Sequence, residues 1–404
     1  VSDFTRCRKL PARTLIECIM SFSNYSSIGE LSHFFEGRGK MPSASALSQR
    51  RKLLDPDIFK RINNLFVSAF DDHTTINGYH ILAQDGSDVN IPFMDDKTKT
   101  EKHDAKSFCQ YHVNALYDCL NKVFYDWSID AASKKREVNA LISILKDRNY
   151  PHNSIFTADR GYESYNLMAH FIENDIKFVI RVKDIHTKVG LMTNVRTEEG
   201  AFDMRISRTL TSLQTKEIKA DKEKYIFVPT TSNFDFLDET RVFYDLSFRA
   251  VRFKISEDVY ETVVTNLSEE EFGTDDFKEL YHYRWNEETA FNKLKYTIGL
   301  VYFHARKRKL IQQEINAAFL MYNVSEVIIR NIDLKKDKKL KLEYDYKPNF
   351  SSAVTNIRLY LRKKINMKEL ILRIKKFLVP QRPERSFERN IKGQACKPLN
   401  YRTS

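Results

Sequence analysis

The spacing of apolar residues divides this chain into a helical stretch followed by a strand-rich stretch. Before residue 78, apolar positions recur at helical spacing and predict short helices at 13–22, 27–35, 46–54 and 56–70. After residue 78, short apolar runs predict strands at 80–85, 108–118, 122–130, 154–159 and 176–183. Amphipathic helices are predicted between the later strands, at 136–146 and 163–174. The resulting order, β-β-β-α-β-α-β, predicts a fold of the α/β class.

Two aspartates stand at the ends of predicted strands. Asp85 closes the first strand and Asp159 closes the fourth. This element order, with carboxylates at those two positions, is typical of a ribonuclease-H-like catalytic core. In that plan the first and fourth strands are neighbours, so we expect Asp85 and Asp159 to meet at one edge of the sheet.

The remaining sequence predicts an insertion, two long helices and a basic C-terminal region. Residues 185–260 are polar and carry several strand candidates, an apolar strand follows at 262–267, and helices are predicted over 281–295, 309–331 and 361–378. We therefore expect a helical DNA-binding domain (1–77), a core in two parts (78–184 and 261–331), a β-rich insertion between them (185–260) and a basic C-terminal helical and extended region (332–404).

The positive charge of the chain is concentrated at its C-terminal end. The net charge is +12, and residues 331–404 alone hold 20 Lys and Arg against 7 Asp and Glu. Such a concentration attracts polyanions, of which nucleic acid is the commonest, with an acidic protein or an anionic membrane surface as alternatives. No apolar run reaches the ~20 residues of a membrane span, and the five scattered cysteines favour free thiols in a reducing compartment. These features predict a cytoplasmic protein without a membrane partner.

The segment 281–295, YHYRWNEETAFNKLK, is the most informative stretch of the chain. On a regular helix Tyr281, Arg284, Glu288 and Lys295 project from one face within an arc of about 60°. A carboxylate flanked by two cations and a phenol suits metal binding and a grip on phosphates. A solvated face with salt bridges at i, i+4 spacing is the alternative interpretation.

Two further groups of basic residues are candidates for DNA contact. Arg50 and Arg51 lie in a run of short helices that permits a helix-turn-helix-like DNA reader, with an ordinary helical bundle as the equal alternative. The last residues of the chain, from 379 onward, carry arginines and lysines at intervals and few large apolar residues. This composition predicts an extended segment that binds along the surface of a partner. Its candidate DNA contacts are Arg382, Arg385 and Arg389.

Three motifs, in order, resemble one protein family. Tyr281, Arg284, Glu288 and Lys295 form the pattern Y-x₂-R-x₃-E-x₆-K, which resembles the signature of the insertion-sequence-four (IS-four) family of bacterial DDE transposases. The stretches QDGSDVNIP (84–92) and TADRGYES (157–164) are similar to that family's two aspartate-bearing strands. The resemblance spans residues 40–330, and the separation of 129 positions from Asp159 to Glu288 fits the β-rich insertion of that family.

The resemblance implies roles for these residues. Asp85, Asp159 and Glu288 would be the catalytic metal ligands, holding two Mg²⁺ ions with Mn²⁺ as a substitute, because hard cations take carboxylate oxygens. Tyr281, Arg284 and Lys295 would hold phosphates, and Trp285 would either stack on a base or pack in the core. Asp88 and Glu287 are the open alternatives to Asp85 and Glu288; strand-end position and helical phase favour the latter pair.

The implied function is cut-and-paste DNA transposition. Metal-dependent hydrolysis at the terminal inverted repeats would be followed by attack of the freed 3′-OH on target DNA, within a homodimer in the synaptic complex of the bacterial nucleoid. Two alternatives are a transposase-derived DNA-binding protein without catalysis and a ribonuclease-H-like nuclease without strand transfer. The sequence leaves open the repeat recognised, the target preference and the formation of a hairpin intermediate.

Overall fold

A computed structural model describes most of the chain. The described residues are 10–69, 73–102, 105–132, 137–185, 187, 189–197, 199–229, 231–232, 234–257, 259–332, 334 and 344–381. The cysteines among them, Cys18, Cys109 and Cys119, are buried free thiols, as the sequence predicts. None of the helices in these ranges combines the length and the apolar character that a membrane crossing requires.

One large mixed sheet runs through the molecule. Its strands are β1 (His80–Ile91), β2 (Lys99–Lys102), β3 (Ala105–Asp118), β4 (Val123–Ala131), β5 (Ser154–Ala158), β6 (Lys177–Val182), β7 (Phe202–Thr211), β8 (Tyr225–Phe227), β9 (Phe243–Ser256) and β10 (Val259–Thr265). β1, β3 and β4 form an antiparallel meander, while β5 lies parallel to β1 and β6 parallel to β5. The predicted element order and the adjacency of the first and fourth core strands are confirmed.

Strand β1 is longer than the sequence predicts, and the strands of residues 185–260 join the same sheet. β1 continues six residues past Asp85, to Ile91, because this second half pairs with β3 although it has passed the end of β5. The strands of the region 185–260 do not form a separate sheet: β9 pairs with β10, and β7 and β8 extend the same sheet outward. Long alternating runs along β7 and β9 supply this continuous antiparallel pairing.

Helices cover both faces of the sheet. They are α1 (Ala12–Met20), α2 (Ser27–Phe35), α3 (Ala44–Leu53), α4 (Ile58–Ser68), α5 (Glu137–Asp147), α6 (Tyr165–Glu173), α7 (Lys216–Ala220), α8 (Asp276–His282), α9 (Trp285–Asn292), α10 (Arg308–Arg330), α11 (Phe350–Leu361) and α12 (Met367–Lys376). α5 and α6 bury their apolar stripes against one face. α9, α10 and α11 pack with the other face in a second core.

The N-terminal helices form a third core against α10. This core contains the fully buried side chains of Leu15, Leu31 and Phe59 from the N-terminal helices. They share one apolar cluster with Ala317 and Leu320 of α10. Because α10 also contributes to the core beneath the sheet, the bundle is fixed to the sheet through this helix. Ser26 and Ser43 cap α2 and α3 by accepting backbone N–H bonds.

The predicted C-terminal helix is shorter than expected. The helix predicted over 361–378 is broken at Lys363, whose φ of 52° lies in the left-handed region. α11 ends at Leu361, and α12 starts at Met367 after the N-cap Asn366. Strands β11 (Asp345–Pro348) and β12 (Leu378–Gln381) then pair antiparallel beside these helices.

Candidate active site

The sheet brings Asp85 and Asp159 together. The parallel pairing of β1 with β5 ends at Gln84 and Ala158, so the next residue of each strand is one of the two aspartates. The chain turns after β5, where Asp159 caps a short 3-10 helix by accepting the N–H of Gly161 at 2.8 Å. Two carboxylates therefore lie side by side where the two strands part.

Asp85 lies in an environment that disfavours its charged form. The pKa of this carboxyl is raised to about 6, chiefly by burial and to a smaller extent by the carboxylates of Asp159 and Glu137, although the Gly86 N–H and the guanidinium of Arg284 act to lower it. The Gly86 N–H donates to its Oδ1 at 2.7 Å. A positive charge placed beside Asp85 would remove this penalty.

The helix carrying the remaining motif residues is not continuous. Between α8 and α9 the hydrogen bonds change to i→i+3 type, as in Arg284 N–H to Tyr281 O at 3.1 Å. After α9 the chain forms a π-helix over Lys293–Ile298, which ends at Gly299 with φ 98°. The prediction of one regular helical face was therefore wrong, because tighter and wider turns change the angle between successive side chains.

Arg284 is buried among the acidic residues. Its side chain is nearly fully buried, and Nη2 donates to Glu288 Oε1 at 3.3 Å. Burial lowers the pKa of Arg284, but Tyr281, Asp85, Glu288 and Asp159 together raise it above its ordinary value. The guanidinium is thus the counter-ion of the carboxylates at this edge of the sheet.

Glu287 and Glu288 occupy different environments. Glu287 is fully buried, and within the described residues neither of its carboxylate oxygens has a hydrogen-bond partner of normal geometry. Burial raises its pKa well above the usual range, with a further contribution from Asp85. Glu288 is 29 % exposed and bonded to Arg284. The acidic pair therefore offers one reachable carboxylate and one enclosed carboxylate.

The other motif residues differ in exposure. Tyr281 is buried, and in the part of the chain that the structure describes its hydroxyl has no hydrogen-bond partner. Trp285 is 41 % exposed, which disagrees with the core-packing alternative for this residue. The Arg284 guanidinium lies 5.6 Å from the Tyr281 ring centre and 5.3 Å from that of Trp285. Lys295 is half-buried on the π-helix.

The predicted DNA contacts in α3 are wrong. Arg51 is buried and bonds Glu314 Oε1 at 2.6 Å and Gln313 Oε1 at 2.9 Å, both on α10. Arg50 is also buried, and its Nε donates to the Leu10 carbonyl at 3.2 Å. These guanidinium groups hold the helical bundle together and do not face a DNA surface. The other predicted contacts, Arg382, Arg385 and Arg389, lie outside the described residues.

The sequence did not predict that three polar residues near the site contact one another. His112 of β3 bonds Asp88 of β1 through Nδ1 at 2.8 Å and approaches Glu137 through Nε2 at 3.1 Å. Asp88, the open alternative to Asp85, is thus paired with a histidine on the neighbouring strand. The signal available in sequence was weak, since Glu137 reads as an ordinary acidic residue in the first turn of a helix.

The residue types at this edge fit a hard divalent cation. Asp85, Asp159 and Glu288 supply carboxylate oxygens, which Mg²⁺ and Mn²⁺ prefer, and Glu287 adds a buried carboxylate. Within the ranges that the structure describes, no three His, Cys, Asp or Glu side chains are grouped closely enough to hold a metal ion. Arg284 stands among these carboxylates instead, as their counter-ion.

One comparison with known proteins identifies a family for this chain. A family model described as "Transposase DDE domain" matches residues 76–324. Among solved structures, one described as a cryo-EM structure of piggyBac transposase synaptic complex with hairpin DNA is 12% identical, with a TM-score of 0.41, covering 93% of this chain and 76% of that chain. A likeness of that size carries no argument about function. A comparison with curated proteins finds no match.

Proposed function

Because the chain belongs to the transposase DDE domain family, we propose that it catalyses metal-dependent cut-and-paste transposition of DNA. One observation carries this proposal: Asp85 and Asp159 follow directly on the last paired residues of β1 and β5, so the two carboxylates are neighbours. Arg284 connects them to Glu288, because it donates to Glu288 and interacts electrostatically with both aspartates. All four residues lie inside the matched span. Within it we assign a ribonuclease-H-like core and membership of the IS-four group, on the Y-x₂-R-x₃-E-x₆-K pattern.

The three carboxylates are the metal ligands in this proposal. Asp85, Asp159 and Glu288 would hold two Mg²⁺ ions, or Mn²⁺ in their place; the oxygen donor set and the unfavourable charge at Asp85 support this. When bound, the ion pair activates the attacking oxygen and neutralises the leaving oxygen of the displacement. Glu288 is the ligand with freedom to adjust, since it is the more exposed member of its pair.

Arg284 and its neighbours act on the phosphates of the substrate. Its guanidinium is suited to a forked grip on phosphate oxygens. The Tyr281 hydroxyl has no partner within the described residues and can donate to the same phosphate. Exposed Trp285 offers a ring for base stacking. Lys295 contributes a point charge.

The substrate of this chemistry is double-stranded DNA. We propose that hydrolysis at the terminal inverted repeats is followed by attack of the 3′-OH on target DNA, in a synaptic homodimer. The excess of basic residues at 331–404 supports a polyanionic partner. The protein would then work in the bacterial cytoplasm, at the nucleoid.

The test is cleavage of a plasmid that carries the gene's native flanking DNA, in Mg²⁺ or Mn²⁺. We expect cuts at discrete ends by the wild type and none by Asp159→Asn or Glu288→Gln. Both variants should still bind the same DNA in a gel-shift assay, because each removes a metal ligand and no basic residue. Retained cleavage by Glu288→Gln would refute the assignment of this carboxylate.

The same assay separates the proposal from its alternatives. Cleavage without joining to a target plasmid would identify a nuclease. A folded wild type that binds DNA and never cuts it would identify a non-catalytic DNA-binding protein. Asp147→Asn, an exposed change on α5, is the matched control and should cut like the wild type.

A further inference from the structure

Four consecutive cations, at 306–309, lie where the chain enters α10. Arg306, Lys307 and Lys309 are exposed, and so is Lys52 near the end of α3. Lys309 connects the two segments, because its Nζ donates to the Lys52 carbonyl at 3.1 Å. We call these four exposed residues the α10 basic surface.

Arg308, the remaining cation of the run, is bonded within the fold. Its Nε donates to Asp96 Oδ2 at 2.7 Å, and its Nη1 donates to the Pro92 carbonyl at 2.8 Å, just past the end of β1. Arg51 of α3 donates through Nη2 to the Leu310 carbonyl at 3.0 Å. The backbone that carries the exposed cations is therefore fixed to the end of β1 and to α3. A backbone that is already ordered reduces the entropy that binding a partner would cost.

Two carboxylates near the α10 basic surface are engaged by other cations. Asp96 is bonded to the buried arginine of the run. Asp55, on which Lys309 acts electrostatically, is bonded to Arg61 at 2.7 Å. In the part of the chain that the structure describes, the three lysines of this surface have no carboxylate within ion-pair distance. Their charge is therefore available to a partner outside the chain.

The start of a long helix is an unfavourable place for these cations. α10 has 23 residues, its N-cap is Lys307, and its first turn holds no acidic residue. The helix dipole places partial positive charge at this end, so side-chain cations are repelled there and an anion is favoured. A phosphate beside the α10 basic surface would offset a repulsion that the folded chain carries within itself.

A cleft of about 180 Å³ opens beside the exposed cations. Arg306 and Lys307 line it, together with Ser27 of α2 and Ser48 of α3. Hydroxyl groups, like lysine and arginine side chains, donate to the phosphate oxygens of nucleic acids. Among the described residues that line this cleft, none is acidic. The lining therefore suits the backbone of a nucleic acid.

The α10 basic surface lies within reach of a duplex held at the candidate active site. Pro92, which accepts from Arg308, follows Asp85 by seven residues along the chain. In an extended strand this separation is at most about 23 Å, at ~3.3 Å a residue. A duplex rises by ~3.4 Å for each base pair. DNA that runs along β1 from the two aspartates would therefore reach this surface after about seven base pairs, which favours DNA over an acidic protein as the partner.

We propose that the α10 basic surface binds the phosphate backbone of duplex DNA, with Lys307 and Lys309 in contact with phosphates. This inference rests on the proposed function, because it concerns the DNA of the same reaction. The buried Arg51 helps to fix the surface, and its exposed neighbours bind. Phosphate contacts position a duplex and carry no sequence information. Binding here should depend on salt concentration and be independent of base sequence.

The test measures DNA binding by Lys307→Gln/Lys309→Gln in the full chain. Fluorescence anisotropy of a labelled duplex of random sequence, without divalent metal, gives the affinity at several salt concentrations. The slope of log K against log salt should become shallower by about 0.9 for each lost phosphate contact, or about 1.8 for the pair. A duplex of a second sequence should show the same loss. Lys307→Arg/Lys309→Arg keeps both charges and should bind like the wild type.

The matched control is Lys146→Gln/Lys254→Gln. It removes the same charge from exposed positions on α5, which covers the other face of the sheet, and on β9, and should retain the wild-type slope. An equal loss in this control would overturn the inference, because the effect would then follow net charge and not location. An unchanged slope in the Lys307 and Lys309 variant would overturn it as well. Circular dichroism and the melting temperature verify that each variant folds.

DNA cleavage separates this inference from the proposed function. A wild type that cuts its flanking DNA, together with a Lys307→Gln/Lys309→Gln variant of unchanged slope, overturns the role of this surface alone. A wild type that binds DNA and never cuts it overturns the proposed function, while the slope of the double variant still decides this inference. In an active enzyme the double variant should raise KM for DNA and leave kcat close to that of the wild type, because the carboxylates are untouched.

Discussion

At the scale of single residues, the candidate site is an excess of carboxylates balanced by one buried cation. Asp85 and Glu287 both have raised pKa values because burial disfavours their charged forms. Arg284 lies among these carboxylates and is held charged by them. Removal of one partner from a buried charge cluster leaves the others uncompensated, which is costly even where the intact cluster contributes little. Arg284 therefore has a structural role as well as its proposed role in phosphate binding.

Arg284→Met should lower the free energy of unfolding by about 3 kcal/mol in metal-free urea titrations. Mg²⁺ should restore more stability to this variant than to the wild type, because the cation replaces the missing positive charge. Arg196→Met changes a side chain that is 92 % exposed and should alter stability by less than about 0.5 kcal/mol. An unchanged stability of Arg284→Met would show that the carboxylates do not depend on this counter-ion.

At the scale of elements, the N-terminal bundle is fastened to α10 by buried charges. Arg51 of α3 bonds Glu314 of α10 at 2.6 Å, and His304, just before α10, bonds the other oxygen of Glu314 at 3.2 Å. Burial alone would raise the pKa of Glu314, but Arg51 and His304 outweigh it and lower this pKa to about 2. Arg51, which the sequence predicts to contact DNA, therefore connects α3 to α10.

The connection predicts a specific dependence of stability on pH. The pKa of Glu314 is lower in the folded chain than in the unfolded one, so its contribution is complete above about pH 5 and is lost as the pH falls toward 2. By pH 3 the wild type should lose about 2 kcal/mol more than Glu314→Gln, relative to pH 7. Urea unfolding at pH 7, 5, 4 and 3 measures this difference.

The control for this measurement is Glu199→Gln, an exposed carboxylate in the β-rich region. It should follow the wild type at each pH. Equal slopes for the wild type and Glu314→Gln between pH 5 and 3 would contradict the assigned role of the buried network.

At the scale of the whole molecule, function depends on where charge lies on the surface. Arg50, Arg51, Arg358 and Arg362 are buried within the fold, so a count of basic residues overstates the surface available to DNA. Residues 382–404 hold six Lys and Arg against two Glu. Their predicted role as an extended DNA-binding segment stays a prediction.

Deletion of 382–404 should weaken DNA binding and flatten its salt dependence, because the slope of log K against log salt falls by about 0.9 for each phosphate that the protein no longer neutralises. The deletion keeps β12, which pairs with β11, so the described C-terminal elements remain complete. Fluorescence anisotropy at several salt concentrations measures the slope. An identical slope would show that this segment does not contact phosphates.

The local pattern of the sequence determined the elements and their order. The short apolar runs of β1, β3 and β5 predicted strands buried on both faces, and the helical periodicity of α5, α6 and α10 follows from the side-chain period of helices. The family motif residues were also readable, since their types and spacing are properties of the chain itself. The adjacency of Asp85 and Asp159 followed from element order alone.

Tertiary structure decided what these residues contact. The burial of Arg51 against α10 and the contact of His112 with Asp88 join positions that are distant in sequence. The 3-10 and π-helical turns around α9 and the burial of Glu287 depend on local helix geometry and on packing. Local propensity carries no information about which charged side chain will find a buried partner on another element. That selection is made by packing, which sets both the distance between charges and the solvent that screens them.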